Sequence, residues 1–361
     1  MKKNHVLKHL ALVGVGIFFS GALLSKDEIN AFAEMKLYVS PSCEYNTAKN
    51  CGIDAVGRGT EQAPLATLQG VQEELVRLNK ESKIKENITV YIHNGVYQNH
   101  PSVTWTFRTG STITFTSAEK ISRSYSRPVF DGNGSAFFLD YHNHKDRPTT
   151  LVIENLQVQN YVNGITLRDN GAEAPVKNHQ IRNMVFTNIG NKYQNPDLDT
   201  IDGYAAIRLI EVSNASLRNS TFKNLENTTG PAKIHAFYLA NGSSNNSIVN
   251  HQITNVSGDP LRVRNNSNYN TFDNIRMTKT GQYALGLSEW RGENEPASIE
   301  NKLINSTVNK SYKNTTNLPT VAFYDGVKLC TRDTSFNYVY IEKDGQIVKV
   351  PLIRTANNIR L

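Results

Sequence analysis

Between residues 150 and 310 a short phrase keeps returning: an asparagine, four residues that include an apolar one, and then a polar position that is usually asparagine again. It reads Asn155-Leu-Gln-Val-Gln-Asn160, Asn183-Met-Val-Phe-Thr-Asn188, Asn219-Ser-Thr-Phe-Lys-Asn224 and Asn250-His-Gln-Ile-Thr-Asn255. A degenerate copy starts at Asn274 and a weak one at Asn301, with 24 to 36 residues between successive first asparagines. After each copy comes a second short apolar phrase: Gly164-Ile-Thr-Leu, Ala206-Ile-Arg-Leu, Ala236-Phe-Tyr-Leu, Pro260-Leu-Arg-Val, Ala284-Leu-Gly-Leu and Ala322-Phe-Tyr-Asp. An irregular period with two or three short strands per turn is what stacked β-coils produce, because length varies only in the turns. Each coil would sit ~4.8 Å above the last, so equivalent residues line up in columns. Asparagine suits the turns, where it tolerates left-handed backbone and can bond its counterpart in the next coil.

The flanking segments fit this plan. Lys36-Leu-Tyr-Val-Ser40 reads as a first strand, followed by a turn rich in glycine at Gly52, Gly57 and Gly59. From about Leu65 to Lys80, Leu68, Val71, Leu75 and Leu78 recur at helical spacing and predict one amphipathic helix. Ile88, Val90 and Ile92 alternate, as do Ile113 and Phe115, so the chain returns to strand. Past residue 315, Val339, Ile341, Ile347, Val348 and Val350 suggest further strand closing the C-terminal end, about 315–361.

Tyr38-Val-Ser, the glycine-rich turn, the helix from Leu65, Ile88-x-Val-x-Ile-His-x-Gly95-x-Tyr97 and the asparagine repeats together resemble the pectate-lyase-like superfamily. That resemblance implies an all-β fold, a right-handed parallel β-helix, with an N-terminal α-helix capping the open edge of the first coil. The superfamily holds lyases, hydrolases, epimerases, esterases and phage tailspikes, so the likeness speaks to fold more than to chemistry.

The N-terminus has Lys2 and Lys3, an apolar run from Leu10 to Leu24, and Ala31-Phe-Ala33, the pattern of a secretory signal peptide cleaved after Ala33. The run is short of the ~20 residues a bilayer span needs, so no stable membrane association is expected after cleavage. The expectation is a secreted, extracellular protein with one domain over residues 34–361. Loss of Lys2, Lys3, Lys8, Lys26, Asp27 and Glu28 lowers the net charge of +7 by two. The remaining surplus suits an acidic polysaccharide as partner. Nucleic acid is not expected, since no basic run interleaved with aromatics occurs. Of Cys43, Cys51 and Cys330, the first two are the natural disulfide pair and leave Cys330 over.

Alternation in the second phrase separates core from surface. Ile165/Leu167, Ile207/Leu209, Phe237/Leu239, Leu261/Val263 and Leu285/Leu287 would point inward. One outward column is then Thr166, Arg208, Tyr238, Arg262, Gly286 and Tyr324, and a second is Arg168, Ile210, Ala240, Arg264 and Ser288. His235 and Asp259 enter just before their strands, while Glu289 and Trp290 follow the last of them. Uronate lyases and epimerases must neutralise a carboxylate, remove the C5 proton and protonate a leaving oxygen. Arginine suits the first task through its planar fork. His235, Tyr238 and Arg262 are therefore the expected catalytic residues, with Arg208, Arg264, Asp259, Glu289 and Trp290 binding substrate.

The principal reading is a polysaccharide lyase on a uronic-acid glycan. The alternatives are a non-catalytic glycan-binding or adhesion protein, an epimerase, or a glycoside hydrolase using Asp259 and Glu289. A purely structural account pairs Arg262 with Asp259 and Arg264 with Glu289 as a solvated ladder. Ser257-Gly-Asp-Pro260 resembles the Asp-Pro-His motif of alginate-epimerase-like proteins, but Leu261 and Arg262 stand where histidine would. No cofactor is expected. Asp197, Asp199 and Asp202 carry oxygen ligands of the kind Ca²⁺ takes, although such runs are more often exposed loops. His142 and His144 lack a third ligand nearby and read as a surface turn, and Trp105 is either a sugar platform or packed.

Overall fold

The structure, a computed structural model, describes residues 34–44, 50–80, 84, 87–122, 127–170, 178–199, 201–281, 285–287, 298, 301–312 and short strand segments between 322 and 360. The predicted leader and Cys330 lie outside the described residues.

Almost every strand pairs in parallel with a strand of the following repeat, not with its neighbour in sequence. Three columns result. The first runs through Met35–Val39, Ile88–Ile92, Thr112–Ser117, Thr150–Glu154, Gln180–Arg182 and Ser216–Arg218 and reaches Ser247–Val256. The second joins Val129–His142, Gln157–Arg168, Val185–Ile189, Thr221–Leu225, Ser247–Val256 and Thr271–Thr280. The third joins Val103–Trp105, Val129–His142, Gln157–Arg168, Ala205–Ile210, His235–Ala240, Leu261–Val263 and Leu285–Leu287. Among the described residues the fold is mainly β, with one long parallel sheet and one α-helix, consistent with a β-solenoid-like chain. Tyr338–Lys343 and Gln346–Pro351 form an antiparallel hairpin in a separate three-stranded sheet, in keeping with the strand expected there.

The inward residues follow from alternation. Ile165, Ile207, Phe237 and Leu261 form one stack, and Leu167, Leu209, Leu239 and Val263 another, each at most 1% exposed. Phe186 and Phe222 lie parallel with centroids 5.2 Å apart. Full burial of such side chains contributes roughly 1.5–3 kcal/mol each.

The asparagines hold the turns. Asn155, Asn160, Asn183, Asn188, Asn219, Asn224, Asn250 and Asn255 all have φ near +60°. Their side chains bond coil to coil, as in Asn188–Asn160 (3.1 Å), Asn224–Asn188 (3.1 Å) and Asn255–Asn224 (3.0 Å). A second, interior amide column comprises Asn246, Asn270 and Asn301, at most 5% exposed. There the Asn270 Oδ1 accepts both the Asn246 N–H and its side-chain amide at 2.9 Å. Pairing of strands starts at Met35, well before the asparagine phrase. The early turns mix glycines such as Gly95 and Gly134 with Asn99 and Asn133 at positive φ, which leaves no regular phrase to read.

The helix spans Leu68–Lys80, three residues shorter at its start than the apolar stripe predicts. Leu65 belongs to a β-bridge with Val39, and its N–H donates to the Tyr38 carbonyl at 2.9 Å. The Asp54 carboxylate accepts the Ala66 and Thr67 N–H groups at 2.8 and 3.1 Å, and the Thr67 hydroxyl accepts the Gly70 N–H at 3.0 Å. Leu68, Val71 and Leu75 join the same apolar core as Leu37 and Val39. Trp105 is fully buried there, its indole N–H donating to the Phe107 carbonyl at 3.0 Å, so it is packed. Cys43 and Cys51 form a disulfide in the turn before the helix.

Buried polar groups recur at the corners. The His251 Nδ1 accepts the Ser220 N–H at 3.1 Å, and the His179 Nδ1 accepts the Leu151 N–H at 2.9 Å. Glu226, 4% exposed, takes hydrogen bonds from Tyr312 (2.6 Å), Lys192 (3.0 Å) and Tyr193.

Candidate functional site

The third strand column carries the outward row expected from alternation. Arg208 is in register with Thr166 and with Tyr238, and Tyr238 with Arg262. Tyr238 thus stands between two arginines on adjacent coils, ~4.8 Å from each strand.

Arg208 lies between two tyrosine rings, its guanidinium carbon 5.3 Å from the Tyr204 centroid and 5.6 Å from that of Tyr238. Its Nε is buried and has no hydrogen-bond partner, and among the described residues no carboxylate pairs with it. Burial, and then the charge of Arg168, hold its pKa below the usual arginine range. Arg264 Nη1 donates to the Tyr238 hydroxyl at 3.2 Å. Arg262 meets the Asp259 carboxylate at 3.6 Å, both side chains mostly covered.

The second outward row does not form as a separate line. Ile210 and Ala240 are 8% and 3% exposed, and the arginines flanking them in that row, Arg168 and Arg264, turn elsewhere, while Ser288 lies outside the described residues. Arg168 bonds Asp140 at 2.8 and 3.3 Å, and Arg264 leans to Tyr238.

His235 opens its strand beside Tyr238. It is 3% exposed and stands at a bulge, where the Ala236 and Phe237 N–H groups both donate to the Pro260 carbonyl at 2.9 and 3.0 Å. Its Nδ1–H donates to the Asp259 carbonyl at 2.5 Å, and its ring lies 5.5 Å from that of Tyr238. It packs against the tyrosine ring and is largely covered from solvent. Glu289 and Trp290 lie outside the described residues.

Asp197 and Asp199 are exposed, while Asp202 pairs with Lys233 at 2.7 Å, and that bond keeps its carboxyl below the usual range. Among the described residues no three His, Cys, Asp or Glu side chains converge as metal ligands. His142 lies 3.4 Å from Asp140, and His144 lies 2.9 Å from Asp146, so the two histidines have separate partners.

Two residues of this face escape the sequence reading. Asp140 continues the column below Thr166, so the outward row does contain a carboxylate. Leu139-Asp-Tyr-His142 has the same alternation as Ile165-Thr-Leu-Arg168, but it precedes the asparagine repeats that guided the alignment. Tyr204 sits in the turn before Ala205, where no alternation applies. Asp140 and Asp259 are separated by four coil steps, roughly 19 Å at ~4.8 Å per step, beyond the ~5–9.5 Å that glycoside hydrolysis requires.

No family model matches the chain, and no curated protein matches it. A solved structure, "Geobacillus virus E2 - ORF18", aligns over 89% of this chain and 68% of its own length, with 10% identity and a TM-score of 0.31.

Proposed function

We propose that the chain is a right-handed parallel β-helix of the pectate-lyase-like kind, exported after cleavage at Ala33, that cleaves an acidic, uronate-containing polysaccharide by β-elimination. The observation that carries this reading is Arg208, a half-buried cation held without a carboxylate partner beside Tyr238. An uncompensated guanidinium is costly to keep partly out of water, and a visiting carboxylate removes that cost. The Cys43–Cys51 disulfide supports an oxidising compartment.

In this reading the substrate carboxylate seats on Arg208. The Tyr238 oxygen, as phenolate, takes the C5 proton, and the Arg264 hydrogen bond meets its charge. The C5 electron pair forms the C4–C5 double bond as the C4–O bond breaks. The Tyr238 proton then passes to the leaving oxygen, which returns the phenolate. Arg262, tied to Asp259, binds the chain two coils from Arg208. His235 holds the Tyr238 ring in place, a positioning role in place of the catalytic one expected from sequence.

The test is ultraviolet absorbance of the unsaturated uronate product during incubation with a panel of uronic-acid polysaccharides. The wild-type protein should generate product on one of them, and Tyr238→Phe should not. Equal product from both would remove Tyr238 from the mechanism. A second reading, glycan binding without cleavage, is favoured by the mutual satisfaction of Arg262 with Asp259 and Arg264 with Tyr238. It predicts saturable, salt-sensitive binding with no product.

A further inference from the structure

Among the described residues, Tyr204 is one of few large side chains with apolar surface left open, at 38% exposure, and it stands at the edge of the arginine face. Its backbone is held at both ends. The N–H donates to Asn163 Oδ1 at 2.7 Å, and the carbonyl accepts the His235 N–H at 2.9 Å from the next coil. Its hydroxyl reaches Asp202 at 3.4 Å, and Asp202 is fixed by Lys233 at 2.7 Å. The ring is therefore presented in one place at little further entropic cost. Beside it, 5.3 Å from its centroid, is the Arg208 guanidinium with its unpartnered Nε.

A pyranuronate has two features that this pair matches: an apolar face of ring C–H groups and a carboxylate projecting from C5. An aromatic surface takes the first and a guanidinium the second. We propose that Tyr204 is a specificity-determining residue, its ring and the Arg208 guanidinium together forming one seat for a single pyranuronate unit of the glycan. The inference rests on the acidic-glycan reading of this face, and it assigns to Tyr204 recognition of the sugar ring and to Arg208 recognition of its charge. Neutral sugars would then retain the stacking half of the interaction, and non-sugar carboxylates the charge half.

The experiment is calorimetric binding of short oligouronates (galacturonate, guluronate and glucuronate types) and of their carboxyl-reduced counterparts to the full chain. Tyr204→Ala should weaken both the charged and the reduced ligand about tenfold, the size of a 1.4 kcal/mol loss. Tyr204→Phe, which keeps the ring and loses only the Asp202 contact, should stay within about twofold of wild type. Arg208→Met should weaken the charged ligand alone. Equal affinity of Tyr204→Ala and wild type, with unchanged thermal midpoints, overturns the seat while leaving the acidic-glycan reading standing. Failure of wild type to bind any oligouronate overturns both. Binding with the expected variant pattern but no unsaturated product keeps the seat and removes the lyase.

Discussion

His251 accepts the backbone N–H of Ser220 on its Nδ1 at 3.1 Å while its Nε2–H donates to the Leu217 carbonyl at 3.1 Å. Burial opposes the charge and outweighs these backbone contacts, so the pKa drops from 6.5 to about 4. His100, whose Nε2 faces the Leu68 N–H, drops to about 3, again chiefly through burial. Both folded values lie below the unfolded one. Their stabilisation is complete above pH 6.5 and is lost as pH falls toward about 4 for His251 and about 3 for His100. At ~1.4 kcal/mol per unit, His251 alone accounts for roughly 3 kcal/mol. Denaturant titrations between pH 7.5 and 4.5 should show this decline, and His251→Gln should flatten it while lowering stability at neutral pH.

Glu226 behaves in the related way for a carboxylate. Burial pushes its pKa up, but hydrogen bonds from Tyr193, Tyr312 and Lys192 outweigh that and leave it below the usual range. Burial and the bond to Glu226 push the Tyr312 phenol up to about 12. The stabilisation from Glu226 is thus present above the ordinary glutamate range and fades only as pH drops through its lowered value. Glu226→Gln should cost about 3 kcal/mol at neutral pH and Tyr312→Phe about 1 kcal/mol. Thermal melts would check the order, and a larger effect of Tyr312→Phe would contradict it.

The two kinds of asparagine column should respond differently. Asn270→Ala leaves the Asn246 N–H and the Ser243 carbonyl without their partners in a fully buried site, at a cost of about 3 kcal/mol. Asn250 is exposed, with φ of 62° and side-chain bonds to Asn219 and Asn274. Asn250→Ala should cost about 1–2 kcal/mol, mostly from the left-handed backbone, and Asn250→Gly should recover most of it.

Arg208 should show opposite effects on stability and binding. Arg208→Met removes a half-buried cation with no paired carboxylate among the described residues, so the free protein should become about 1 kcal/mol more stable. Affinity for a uronate polymer should fall in the same variant. A destabilised Arg208→Met would indicate that the guanidinium serves the fold through its two tyrosine contacts.

Much of the third strand column was legible, because alternation around Ile207, Phe237 and Leu261 is strict and the asparagine phrase aligns the coils. Register then follows, and with it the neighbours Arg208, Tyr238 and Arg262. The burial of His235 has no local sign in the sequence, because it depends on a bulge at Ala236 and on the Asp259 carbonyl of the next coil. Arg168 could not be assigned from sequence either: whether an outward arginine reaches solvent depends on Asp140, a coil earlier and 28 residues away. The Glu226 cluster gave no local signal, since Tyr312 arrives from 86 residues further along.

The amide columns also determine where this chain can change length. A residue inserted between Asn183 and Asn188, or between Asn219 and Asn224, would misalign the amides and invert the strand's inner and outer faces together. An insertion between Ile189 and Ala205, where the turn already supplies Tyr204 beside Arg208, leaves both strand registers intact. Sequence drift in this lineage should therefore concentrate length variation beside the arginine face, so that the scaffold stays constant while the surface offered to a polymer is rebuilt one turn at a time.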